Sequence, residues 1–133
     1  MENKSLAPIF LTIKEIFANR SHDLVVTDAY IGSKAKIQKP GYHLYGRKEV
    51  SLFGKKPQKT YVAGVIQQKN YVSFYLSPIY SHPELLQHVS PELRKYLKGK
   101  SCFNIAKTAS PIYDEIEKIL KIGIEKYQEI EWI

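Results

Sequence analysis

Apolar stripes at helical spacing mark both ends of this chain, and they limit its fold more than any other feature. Near the amino terminus the stripe consists of Leu6, Ile9, Phe10, Ile13, Ile16 and Phe17. Near the carboxyl terminus, after Ser110-Pro111, a second stripe consists of Ile112, Ile116, Ile119, Leu120, Gly123 and Tyr127. Residues at this spacing share one face of an α-helix, and such a face packs against a core. The sequence therefore predicts a helix at each end of a packed domain.

Between the two stripes the sequence changes to short runs typical of β-strands. β-Branched and apolar residues dominate positions 23–31, which predicts a first strand. Residues 32–59 contain β-like runs at Tyr42–Tyr45 and Val50–Phe53, which predict one or two short strands joined by basic loops. Another short strand is predicted at Ser101–Ala106. Together with a hairpin within residues 60–77, this order predicts an α+β fold of about five strands, in a single domain that spans residues 1–133.

The clearest hairpin joins residues 60–66 to residues 71–77 through a turn at Lys69-Asn70, which pairs Gly64 with Tyr75. Side chains alternate between the two faces of a strand, so the hairpin has two distinct sides. The core side receives Ala63, Val65, Val72, Phe74 and Leu76. The opposite side receives Tyr71, Ser73 and Tyr75 above Gly64. This tyrosine-rich side is interpreted as a second packing layer or as a platform for a ligand.

Serine, proline and glycine residues suggest where the later helices begin and end. Ser81 and Glu84 have the spacing of a capping box. Ser90 precedes Pro91 as a predicted N-cap, and Gly99 is predicted to end that helix. Gly123, inside the apolar stripe of the last helix, predicts a close approach between that helix and the sheet.

The sequence shows no signal for export or membrane insertion. Residues 1–5 do not resemble the start of a secretory signal, and no apolar run approaches the roughly 20 residues that span a bilayer. The single cysteine, Cys102, cannot form an internal disulfide, which fits a reducing compartment. We expect a soluble cytoplasmic protein that does not bind a membrane.

The net charge of +7 is concentrated in the middle of the chain. Residues 34–69 contain nine lysines and arginines and one acidic residue, Glu49. A concentrated positive field attracts anions such as phosphates, nucleic acids and acidic proteins. Lysines in loops also simply keep a protein soluble, and the sequence leaves both readings open.

The sequence does not match the motifs of common enzyme chemistries that it partly resembles. Gly99-Lys100-Ser101 resembles the end of a P-loop, but the required earlier glycine is Arg94, and a helix precedes the turn instead of a strand. The histidines, at positions 22, 43, 82 and 88, lack the helical spacing of zinc ligands. Cys102, in a predicted strand, is more typical of a buried small hydrophobe than of a nucleophile. The sequence thus predicts no catalytic residues, no metal and no cofactor, and leans against an enzyme.

Two segments carry a family resemblance. Residues 78–86 read Pro-Ile-Tyr-Ser-His-Pro-Glu-Leu-Leu, and residues 97–105 read Leu-Lys-Gly-Lys-Ser-Cys-Phe-Asn-Ile. With the helix that follows, through Gly123, Tyr127 and Trp132, they resemble the YdhG-like family of small bacterial domains of unknown function. The resemblance covers most of the chain and is best from Tyr61 onward. It implies a curved, mainly antiparallel sheet packed against N-terminal and C-terminal helices.

These features lead to one main functional hypothesis and two alternatives. The main hypothesis is a non-enzymatic binding or accessory domain that holds a small anionic ligand or a protein partner. Its candidate ligand-binding residues are Tyr61, Tyr75, Lys98, Lys100 and Ser101. One alternative is iron handling, because some family members have been likened to frataxins, although the carboxylates expected early in such a chain stand here beside Lys14 and Arg20. The other is weak nucleic-acid binding through residues 34–69.

Overall fold

The computed structural model describes residues 6–28, 40–107 and 110–133, with only the backbone of Ser110 and Pro111. The elements, in chain order, are α1 (Leu6–Asn19), β1 (Leu24–Thr27), β2 (Gly41–Val50), β3 (Gln58–Gln67), β4 (Val72–Leu76), α2 (Ser77–Ser81), a 3-10 helix (Pro83–His88), α3 (Pro91–Arg94), β5 (Leu97–Lys98), β6 (Cys102–Ile105) and α4 (Ser110–Glu129). The predicted α+β class is confirmed. No helix in the described ranges is long and apolar enough to cross a membrane.

The strands form one open antiparallel sheet in the order β1-β2-β3-β4-β6-β5. It has six strands where the sequence predicted about five, because the two-residue β5 pairs with β6 at the edge. The predicted hairpin of β3 and β4 has the predicted register, with Gly64 opposite Tyr75 and Ile66 opposite Ser73. Of the two β-like runs, Tyr42–Tyr45 lies within β2, whereas Val50–Phe53 does not form a strand of its own, since β2 ends at Val50 and a turn follows.

Both terminal helices pack on one face of the sheet, which we call the core face. Every residue of the predicted α1 stripe is buried, and so is every residue of the predicted α4 stripe from Ile112 to Tyr127. At the centre Phe74 of β4 stacks on Phe103 of β6 at 5.3 Å between ring centroids, and Phe17 of α1 meets it edge-on at 5.8 Å. The amphipathic stripes thus form the core that their spacing predicted.

The predicted close approach of Gly123 is confirmed. A Cβ atom at this position would lie 3.0 Å from Cγ of Pro78 in α2 and 3.4 Å from Cδ1 of Leu76 in β4. Glycine therefore lets α4 approach the start of α2 and the end of β4.

The predicted helix ends are partly wrong. Ser90 does cap α3, since its hydroxyl accepts the Leu93 N–H at 3.2 Å. Ser81 does not form a capping box: it ends α2, and its hydroxyl bonds instead to the Tyr127 hydroxyl at 2.6 Å. Gly99 does not end a helix, because α3 stops at Arg94 and Gly99 takes a positive φ of 71° in the turn between β5 and β6.

The pairing of β2 with β3 contains two irregularities. Leu44 pairs with Ala63, but the next residue of β2, Tyr45, pairs with Tyr61, so Val62 is an extra residue in β3. Farther along, three residues of β2 between Tyr45 and Glu49 face a single residue of β3. A bulge of this kind shifts which face the following side chains occupy.

The central aromatic cluster predicts how substitutions change the free energy of unfolding. We expect Phe74→Ala to lower the free energy of unfolding by about 3–5 kcal/mol, because it leaves a cavity between two buried rings. The same change at Phe53, which is 78% exposed, should cost less than about 1 kcal/mol. Urea unfolding monitored by circular dichroism measures both, and equal losses would contradict this description of the core.

Candidate functional site

The sheet face opposite the terminal helices, which we call the outer face, carries a row of paired residues that crosses all six strands. The strand register defines this row as Thr27, His43, Gly64, Tyr75, Cys102 and Lys98. Directly paired residues in antiparallel strands project from the same face of the sheet. One line of side chains therefore runs from β1 to the opposite edge strand, β5.

A pocket lies over the middle of this row. It has a volume of about 260 Å³, and His43, Tyr61, Ile66 and Tyr75 line it. Gly64 lies between these side chains, and a Cβ atom there would overlap the Tyr61 hydroxyl and the His43 ring. The missing side chain at Gly64 is what allows the tyrosine and the histidine to meet above the sheet.

The bulge at Val62 brings Tyr61 to this pocket. With strict alternation along β3, Tyr61 would share the core face with Ala63 and Val65. The extra residue instead pairs Tyr61 with Tyr45, and the two rings meet edge-on at 5.1 Å. On the other side the Tyr61 hydroxyl lies 3.0 Å from Nδ1 of His43. Tyr61 thus joins the outer face through a local irregularity in the strand.

His43 is a buried titratable group on this face, with only 2% of its surface exposed. Burial lowers its pKa below the ordinary value, and the charge of Asp28 opposes this shift in part. Burial disfavours the charged imidazolium, so the ring is held in its neutral form. A neutral imidazole both donates and accepts a hydrogen bond, which suits a polar contact without a net charge.

The far half of the row joins a polar network with Ser73 and Asn104, which form the neighbouring cross-strand pair. The Asn104 side-chain oxygen accepts from the Ser73 hydroxyl at 3.2 Å and from the Cys102 thiol at 3.3 Å. Burial raises the pKa of Cys102, and also that of Tyr75, to which the thiol is hydrogen-bonded. Cys102 is half-buried on the outer face and is a neutral thiol at neutral pH, so it lacks the thiolate that a nucleophile needs.

The candidate residues from the sequence divide into two groups. Tyr61, Tyr75 and Lys98 project from the outer face, with Lys98 exposed at its edge. Lys100 instead places its ammonium 5.7 Å from the ring centroid of Tyr80 in α2. Ser101 contributes its backbone carbonyl, which accepts the Leu76 N–H at 3.0 Å. The structure therefore does not bring Lys100 into the pocket, and it gives Ser101 a role in strand pairing.

Sequence reasoning missed His43. This residue stands between Tyr42 and Leu44 in a strand-like run. Its polar side chain at an alternate position in that run is a signal for the outer face, but its meeting with Tyr61 depends on the bulge.

Neither a search for metal ligands nor comparisons with known proteins indicate what the site binds. Within the described ranges, no three histidine, cysteine or acidic residues are grouped so that they could hold a metal ion. Comparisons with protein-family models, curated proteins and solved structures found no match to this chain. The resemblance to the YdhG-like family therefore stays a prediction.

The lowered pKa of His43 predicts how stability depends on pH. The unfolded chain binds a proton at this ring near pH 6.5, and the folded protein does so only at lower pH. Stability linked to His43 is thus complete above about pH 6.5 and is lost as the pH falls toward the folded-state pKa. We expect His43→Gln to reduce the decline in the urea midpoint between about pH 7.5 and about pH 5.

The matched control is His88→Gln, because His88 is exposed on the 3-10 helix. This variant should retain the decline of the unmodified protein. A pH profile of His43→Gln that coincides with that of the unmodified protein would contradict the buried, neutral state assigned to His43.

Proposed function

We propose that this protein is a small-ligand-binding domain and that the outer face of its sheet holds a molecule with a flat apolar body and an anionic end. The observation that carries this proposal is the pocket above Gly64, bounded by His43, Tyr61 and Tyr75. A concave site with mostly apolar and aromatic walls and a few convergent polar groups is typical of ligand pockets in proteins.

The walls of the pocket favour a flat apolar body. Two tyrosine rings and Ile66 supply apolar surface, and Gly64 leaves the backbone open below them. Aromatic rings pack well against other rings, edge-on or offset. The neutral His43 and the tyrosine hydroxyls add hydrogen-bonding groups without a net charge. A volume of about 260 Å³ is enough for one or two fused rings.

Lys98 favours an anionic end on the ligand. It lies in the same row as Tyr75, two strands away, which corresponds to about 10 Å of sheet. A lysine side chain is long enough to span part of that distance, and Cys102, the cross-strand partner of Lys98, lies between the two residues. A carboxylate or similar group that extends from the pocket along the row would meet the Lys98 ammonium.

The same arrangement argues for binding over nucleophilic catalysis. His43 and Cys102 share the outer face, but β3 and β4 separate their strands, a distance of about 14 Å. A base activates a nucleophile only within hydrogen-bonding reach. The Cys102 thiol is also stabilised in its neutral form.

The test uses anilinonaphthalene sulfonate, a fluorescent probe with an apolar aromatic body and an anionic sulfonate. We expect saturable binding with one site per chain. Lys98→Ala should weaken it by about threefold to fivefold, through loss of an exposed charge contact. Lys100→Ala is the matched control, since this neighbouring lysine lies against Tyr80, and it should leave the affinity unchanged.

A second variant tests the pocket itself. Gly64→Ala places a methyl group where the Tyr61 hydroxyl and the His43 ring meet, so we expect at least about tenfold weaker probe binding. Near-ultraviolet circular dichroism checks that the variants stay folded. Absence of saturable binding to the folded unmodified protein, or equal losses in Lys98→Ala and Lys100→Ala, would overturn the proposal.

A further inference from the structure

A second cavity lies at the end of the hairpin formed by β2 and β3. Its volume is about 420 Å³, and the residues that matter for its chemistry are Tyr45, Glu49, Phe53, Lys55, Lys59 and Thr60. It opens where three residues of β2 face only Thr60 of β3, so the two strands separate there. Four features of this hairpin cavity point to a ligand.

The first feature is Thr60, whose side chain is only 9% exposed and lines the cavity. Its hydroxyl oxygen has no hydrogen-bond partner among the described residues. Buried polar groups in proteins are nearly always hydrogen-bonded, so an unpartnered one calls for an explanation. A threonine hydroxyl changes direction by rotating between staggered rotamers, and such a rotation turns it toward a bound group.

The second feature is the backbone at the tip of the hairpin. Phe53 and Gly54 have φ values of 55° and 73°, and the Lys55 N–H donates to the Leu52 carbonyl at 3.0 Å. Positive φ at both central positions is a turn type in which asparagine, aspartate and glycine are preferred. A phenylalanine in this conformation is strained, and such strain concentrates at functional sites.

The third feature is the exposed ring of Phe53. It is 78% exposed, and its only described ring contact is edge-on with Trp132, at 5.8 Å between centroids. The ring therefore presents an accessible surface beside the cavity. A flat ligand ring that stacks there would bury apolar surface that is now in water.

The fourth feature is charge. Lys55 and Lys59 line the cavity with one acid, Glu49, the cross-strand partner of Lys59. Residues 47–59 as a whole contain five basic side chains and this single acidic one. Within the described ranges the ion pairs are Arg20–Glu117 and Arg47–Asp23, so neither lysine forms an ion pair with a described acidic residue.

We propose that the hairpin cavity binds a phosphate joined through a sugar to a flat ring, the chemistry of a mononucleotide. The ring stacks on Phe53, Lys55 and Lys59 neutralise the phosphate, and the Thr60 hydroxyl donates to a phosphate oxygen. Charge-assisted hydrogen bonds of this kind are among the stronger ones in proteins. This site is separate from the pocket above Gly64, although Tyr61 lines both cavities. For that reason Tyr61 is not changed in the tests of either site.

The experiment titrates the protein with adenosine monophosphate, adenosine or inorganic phosphate. The chain has a single tryptophan, Trp132, which contacts Phe53, so its fluorescence reports on the cavity mouth. We expect saturable binding of the monophosphate, at least about tenfold weaker binding of adenosine, and weaker binding of phosphate alone. Adenosine that binds as well as its monophosphate would overturn the proposal, and so would the absence of saturable binding.

Variants of the two cross-strand partners give changes of opposite sign. Lys59→Gln removes a cation and should weaken monophosphate binding by about fivefold, whereas Glu49→Gln removes the acid and should strengthen it by about twofold to fivefold. Lys56→Ala is the control, because Lys56 is exposed beside the same turn but does not line the cavity. Equal effects of Lys59→Gln and Lys56→Ala would show a general charge effect and contradict a defined site.

Thr60→Val separates a ligand-binding role from a structural one. It keeps the shape of the side chain and removes an unpartnered hydroxyl, so the thermal midpoint should stay the same or rise. Monophosphate binding should nevertheless weaken by about threefold to tenfold, through loss of one hydrogen bond. Unchanged affinity would contradict the role of Thr60. If a single-stranded oligonucleotide binds more tightly than the monophosphate, with an affinity that falls steeply with salt, the binding site is a nucleic-acid surface and the proposal of a cavity site is contradicted.

Discussion

The extra residue that β3 carries at Val62 determines which side chains the outer face presents. Before the bulge, Leu44 and Ala63 pair on the core face, and after it Tyr45 pairs with Tyr61. Both Val62 and Ala63 are fully buried, so the bulge exposes neither side chain to solvent. Tyr61, the residue on the other side of the bulge, lies on the outer face. Without this shift Tyr61 could not reach His43, and the pocket above Gly64 would lack one wall.

The two faces of the sheet have different chemistry. The core face is closed by α1 and α4 with aliphatic and phenylalanine side chains. The outer face instead holds a histidine, tyrosines, hydroxyls and a thiol connected by hydrogen bonds. Near the end of the β2–β3 hairpin two local costs coincide: the unpartnered hydroxyl of Thr60, about 1–3 kcal/mol, and the backbone conformation of Phe53, of similar size. The proposed binding of a phosphate and a ring at the hairpin cavity gives both features a role.

Sequence reasoning succeeded where one local rule decides the outcome. Helical spacing was enough to identify the buried stripes of α1 and α4, and the short turn at Lys69-Asn70 fixed the register of Gly64 with Tyr75. It failed at Ser81, where a local capping pattern competes with a contact from the distant Tyr127, and at Gly99, which takes a positive φ in the turn between β5 and β6 instead of ending a helix.

The candidate site could be predicted only in part, for the same reason. Tyr75 follows from alternation, and Lys98 was selected for its charge beside a tight turn. Neither alternation nor charge predicts the bulge at Val62, because an extra apolar residue in an apolar strand gives no signal in the sequence. His43 and Thr60 gain their roles from the two irregular pairings of β2 with β3, which depend on the whole sheet.

The position of the Tyr61 ring tests the account most directly. In solution, nuclear Overhauser effects from the ring protons of Tyr61 report which face of the sheet it occupies. The account predicts strong effects to the α-protons of Gly64 and to the His43 ring, and none to Phe74 in the core. Effects from Tyr61 to Phe74, with none to His43, would place the ring on the core face and contradict the pocket.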